Sequence, residues 1–140
     1  MDFNRIDWAD SNIVKMEIEF DCAKLYIFND TLQQMLIVKF NGFIGITNLL
    51  MWDDRIIDDA EVRKVQEDDP DPFIQMLFSR YDKDFNYGER WLNRGVLDVQ
   101  IRLINDTTFH IYCQSIEVSS DSHLYFHRPC FKKGPPVKLD

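Results

Sequence analysis

Four residue groups have side chains whose types and spacing could do chemistry, and metal binding is the first such chemistry to weigh. Asp82-Lys-Asp84-Phe-Asn86-Tyr-Gly88 sets oxygen donors at positions 1, 3 and 5 of a calcium loop. Position 6, where such a loop needs glycine for its sharp turn, is Tyr87. Position 12, which should be a bidentate glutamate, is Asn93. Without those two features the segment reads as a solvated helix exit. His123, His127 and Cys130, with Cys113 further off, offer zinc-type donors. On a strand the two histidines would stand about 13 Å apart at ~3.3 Å per residue, and Pro129 obstructs the helix that would converge them. The reading assigns no metal and no cofactor.

Nucleophilic chemistry fares no better. His110 and Cys113 are three apart on an expected strand, so they point to opposite faces and cannot pair directly. Cys113 shares its face with Phe109 and Ile111 and reads as a small buried hydrophobe. Cys22 and Cys130 have no flanking signature of an activated thiol. No G-x-S-x-G elbow, P-loop or G-x-G-x-x-G occurs. Carboxylate pairs are abundant, but Asp58-Asp59 and Glu67-Asp68-Asp69 sit in solvated charged runs. A general acid needs burial. No catalytic residue is assigned, and the enzyme reading is the lesser one.

The fourth group is the stretch from Asp53 to Asp71, with nine carboxylates against three bases, a local balance of −6 in a chain total of −8. Asp53, Asp54, Asp58, Asp59 and Glu61, with Trp52 as an aromatic anchor, are the expected partner-binding residues, and a basic protein is the partner their charge fits. A pI near 4.8 argues against nucleic acid and against an anionic membrane surface. No apolar run approaches the length of a membrane span. Three widely spaced cysteines and an acidic, polar start (MDFNRIDWADSN) lead to the expectation of a reducing, cytoplasmic setting.

The elements that must hold these residues are mostly strands. IVKMEIEF (13–20) alternates with period two, and AKLYIFN (23–29) follows after Asp21-Cys22. LQQMLIVKF (32–40) is apolar on both faces at its centre. Asn41-Gly42 is a strong hairpin signal into FIGITNLLMW (43–52). The β-branched residues of the acidic stretch favour an exposed edge strand, where charge also blocks aggregation. Asp71 as N-cap and Pro72 at the first position start a helix to about Tyr81, with Phe73, Met76, Leu77 and Tyr81 as its apolar stripe. Asp68, Asp69 and Asp71 suit the positive end of its dipole. Leu97, Val99, Ile101 and Leu103 alternate with Asp98, Gln100 and Arg102. TFHIYCQSIEV (108–118) changes parity near Ser115, which suggests a bulge there. Ser119 to Ser122 reads as a loop, with LYFHR as a last short strand.

Four short motifs, W-x-D-S-x-I at Trp8 to Ile13, F-x-G at Phe40 to Gly42, Trp52-Asp53, and Ser115-Ile-Glu-Val118, together resemble small uncharacterised bacterial domains. Some of these are similar to immunity proteins of polymorphic toxin systems. The resemblance spans about residues 8–118 and implies no catalytic residues. It implies a non-enzymatic domain that neutralises a protein partner. The expected fold is α+β: a mostly antiparallel curved sheet of about six to eight strands, partly closed, with one principal helix packed on it. Residues 1–127 form one domain in this reading, and 128–140 an exposed C-terminal tail. The alternative is a small enzyme or ligand-binding domain with a pocket between sheet and helix.

Overall fold

The computed structural model describes residues 1–48, 55–66, 68–83 and 95–120. In chain order these contain a 3-10 turn (Phe3–Arg5), β1 (Asn12–Ile18), β2 (Cys22–Asn29), β3 (Gln34–Asn41) and β4 (Gly45–Ile46). After these come β5 (Ile57–Lys64), α1 (Pro72–Lys83), β6 (Leu97–Leu103), β7 (Thr108–Cys113) and β8 (Ser115–Ser120). One sheet has the order β1-β2-β3-β8 and the other β4-β7-β6-β5. All pairings between these strands are antiparallel.

Period-two alternation gives each sheet one apolar face, and the two faces close on each other. Leu25, Ile27, Val38 and Phe40 of the first sheet share a fully buried core with Val99, Ile101, Phe109 and Ile111 of the second. Burial of each such side chain is worth roughly 1.5–3 kcal/mol, so this shared core is the main source of stability. Phe3 and Trp8 join it from the chain start, their ring centroids 4.8 Å apart, and the Trp8 indole N–H donates to the Phe3 carbonyl at 2.9 Å.

Two corners join the sheets. At Gly42 (φ +61°) the chain leaves β3 for β4, and at Gln114 it leaves β7 for β8, with the Gln114 N–H donating to the Asn41 carbonyl at 2.9 Å. A Cβ at position 42 would collide with the Gln114 side chain, so glycine is needed here for space as well as for its backbone angle. On another side, Ile13 N donates to Arg55 O and Ile57 N to Ser11 O, each at 2.8 Å, tying β1 to β5. The sandwich is therefore partly closed.

The mostly antiparallel, eight-stranded architecture agrees with the expectation, and β5 is the edge strand anticipated for the acidic stretch. Several details differ. Asn41-Gly42 is a sheet-to-sheet corner and not a hairpin, because β3 and β4 belong to different sheets. The strand expected over 43–52 shrinks, among the described residues, to Gly45–Ile46. The parity change near Ser115 is the crossing at Gln114, and Ser119 and Ser120 belong to β8. There are two four-stranded sheets in place of one, and the helix is a minor element. Its Ile74 is fully buried and Phe73 half-buried, whereas Met76 of the expected stripe is 49% exposed. The Leu77 and Tyr81 side chains fall outside the described residues. So do Asp84 to Asn93, the LYFHR segment, the His123-His127-Cys130 group and the 128–140 tail.

Candidate functional site

The outer face of the second sheet carries its polar side chains in three cross-strand rows, set by the strand register. Arg63, Asp98, Tyr112 and Gly45 form the first row across β5, β6, β7 and β4. Glu61, Gln100 and His110 form the second, and Asp59, Arg102 and Thr108 the third.

The first turn of α1 lies over the first row. Phe73 stacks on Tyr112 with centroids 4.6 Å apart, and its ring comes within 3.4 Å of where a Cβ at Gly45 would stand. Asp71 caps the helix as the sequence predicts: Oδ1 accepts from Phe73 N at 2.9 Å, while Oδ2 accepts from the Tyr112 hydroxyl at 3.1 Å. Beneath the turn Asp98 is fully buried. It accepts from Arg63 Nη2 at 3.0 Å and pairs with His110 Nδ1 at 2.8 Å, with Gln100 Nε2 at 3.4 Å. The other arm of Arg63 donates to Asp69, whose second oxygen accepts from Asp71 N at 3.0 Å. An unbroken chain of bonds thus runs from His110 to the helix cap.

These contacts set the proton affinities. The hydrogen bond to the Asp98 carboxylate raises the His110 pKa above its ordinary value, against the opposing pull of burial. The hydrogen bond with Arg63 lowers that of Asp69, and burial raises that of Tyr112. Burial also pushes the Cys113 thiol up to about 12, so at neutral pH it is a protonated core side chain. Asp98 and His110 have the relationship of an acid–base dyad. Cys113, however, lies on the opposite, inner face, as the sequence reading expects, and Tyr112 holds its proton. The cluster acts as a clamp that docks the helix on the sheet.

Sequence reasoning missed this clamp. Asp98 sits in a regular apolar–polar alternation and reads as a solvent residue; only the register, which sets Arg63 and Tyr112 on either side of it, reveals its burial. Asp69 reads as part of a solvated run, yet it is 7% exposed and bridged by Arg63.

The expected partner-binding residues divide differently. Asp58, Asp59 and Glu61 are exposed on β5. Asp58 accepts from Arg102 Nε and Nη2, both at 3.0 Å, and Asp59 accepts from Ala60 N at 2.9 Å. Trp52, Asp53 and Asp54 fall outside the described residues. The β5 edge backbone is already engaged: the Asn4 side chain donates to Val62 O at 3.0 Å and accepts from Val62 N at 2.8 Å, while Asp10 N donates to Ile57 O at 2.8 Å. What β5 offers outward is its carboxylates.

A cleft of about 720 Å³ opens at one end of the sandwich, among the chain start, the ends of β5 and β6, and β8. It lies away from the sheet–helix interface, where, among the described residues, Phe73, Ile74 and Tyr112 pack together. Among the described residues no group of histidine, cysteine, aspartate or glutamate side chains is arranged to hold a metal, and no helix is long and apolar enough to cross a membrane. No family model matches this chain, and neither does any curated protein.

Proposed function

We propose that this domain is a non-enzymatic protein-binding module of immunity-like type, which engages a basic partner through the carboxylates of β5. The observation that carries this reading is the combination of exposed Asp58, Asp59 and Glu61 with an edge whose backbone at Ile57 and Val62 is already hydrogen-bonded. Such a strand cannot readily recruit a partner by main-chain pairing at those positions and must do so through side-chain charge. Opposite charge gives steering and specificity more than raw affinity, so the contact forms quickly and weakens with salt. Asp53, Asp54 and Trp52, which precede β5 in the sequence, are proposed to contact the same partner. Asp69 and Asp71 do not belong to it, because the clamp uses them.

The test is affinity capture from a lysate of the source cells, with the intact protein and the Asp58→Asn, Asp59→Asn, Glu61→Gln triple variant as parallel baits. The expected result is a basic protein retained at low salt, released at high salt and lost from the triple variant. Equal retention by both baits contradicts the proposal.

A further inference from the structure

The geometry points to β8 as an acceptor for an extended peptide segment: a partner strand, apolar at alternate positions and carrying a carboxylate, that adds to the edge left without a strand among the described residues and fills the adjoining cleft. This site is separate from the acidic face and does not depend on that reading.

The sandwich splits where the chain turns the corner at Gln114. β7 pairs with β6 up to Cys113 and Leu97, but β8 departs to join β3. β6 and β5 meanwhile run on together through the hydrogen bond from Val65 N to Val96 O at 2.8 Å. A wedge opens between the diverging strands, and this is the 720 Å³ cleft. Its size falls within the usual range for a binding site.

The two edges flanking the wedge are unlike. The β5 edge is plugged at Val62 by Asn4, whereas β8 has β3 as its strand partner on one side and no strand on the other among the described residues. In an antiparallel strand every second residue aims its N–H and C=O at the unpaired side, so β8 presents a row of main-chain donors and acceptors. Ile116 and Val118, two apart on β8, line the wedge, as Leu97 does from β6. They offer the alternate apolar contacts that a period-two peptide needs.

Two polar groups define the ligand chemistry further. Gln114 lines the wedge, and its Nε2 is buried with no hydrogen-bond partner among the described residues. Such a buried, unpaired donor is costly, and a peptide carbonyl that drew the Gln114 side chain out into the wedge would satisfy it. Lys64, also lining the wedge, is exposed and makes no ion pair among the described residues. It pairs in register with Leu97, which pairs in turn with Cys113, so the cation and the amide donor flank one apolar row. An acidic side chain or terminal carboxylate on the peptide complements Lys64.

The probe is an acetylated nine-residue peptide that alternates valine with threonine and has one central glutamate. It is added to the full chain and followed by fluorescence anisotropy and amide hydrogen exchange. The expected result is saturable binding with new protection along Ile116 to Ser120, weakened about tenfold by Lys64→Glu, as loss and reversal of one charge contact predict. A version that keeps the glutamate but has proline in place of a neighbouring residue, which lacks the main-chain donor and resists strand geometry, should bind at least about tenfold more weakly. Equal binding of the proline peptide, protection on β5 in place of β8, or no saturation at millimolar peptide overturns the inference. So do β8 amides that all exchange as slowly in the free chain as those of β2 and β3, because the edge would then already be occupied by this chain or a second copy.

Discussion

At the residue scale, the decisive group is Asp98, a carboxylate with no exposed surface held by an arginine and a histidine from the two neighbouring strands. Its bond raises the His110 pKa above the ordinary 6.5, so protonated His110 is favoured in the folded state. Asp98, Asp71 and Arg63 are the charges that act on the ring. The stabilisation is present in full below pH 6.5 and is lost as pH rises through the raised folded value. Denaturant unfolding of the intact protein should therefore show stability falling as pH climbs above 6.5. Asp98→Asn should flatten that fall and cost about 1–3 kcal/mol at pH 6, the range for leaving buried partners under-satisfied. A slope that survives in Asp98→Asn would mean that another group carries it. Little of this was legible from the sequence, since Asp98 and Arg102 hold equivalent places in the same alternation. One is sealed beneath the helix turn and the other is half-exposed beside Asp58, a difference made by long-range packing.

At the scale of elements, local pattern located most strands and the helix start but could not say what the strands join. The Asn41-Gly42 pair is a good turn signal, and the chain does turn there, but into the other sheet. The parity change after Cys113 is equally real and marks the matching corner at Gln114 in place of a bulge. Both are non-local facts, because a corner exists only when two strands bend together. The corner makes a sharp comparison possible. Gly42 and Gly95 both have positive φ, yet a methyl group collides with Gln114 at position 42 and meets nothing within 4 Å at position 95. Gly95→Ala should cost about 1 kcal/mol, the backbone penalty alone, and Gly42→Ala at least about 2 kcal/mol, measured by urea unfolding. Equal costs would show that the packing at the corner can relax.

At the scale of the whole molecule, a chain of net charge −8 exposes Asp58, Asp59 and Glu61 on the β5 edge and ties Asp69, Asp71 and Asp98 into a clamp. Division of the acidic stretch was foreseeable in part: Asp71 was legible as a cap from the following proline. The assignment of Asp69 to the clamp needed the position of Arg63. Under the proposed function, the patch of Asp58, Asp59 and Glu61 is what a basic partner meets, and its field should act on encounter before contact. The most direct measurement of that claim is the association rate of the captured partner, followed by surface plasmon resonance from low to high ionic strength. The account predicts a rate that falls steeply with salt for the intact protein and stays nearly flat for the Asp58→Asn, Asp59→Asn, Glu61→Gln variant. Identical salt dependence for the two proteins would contradict it.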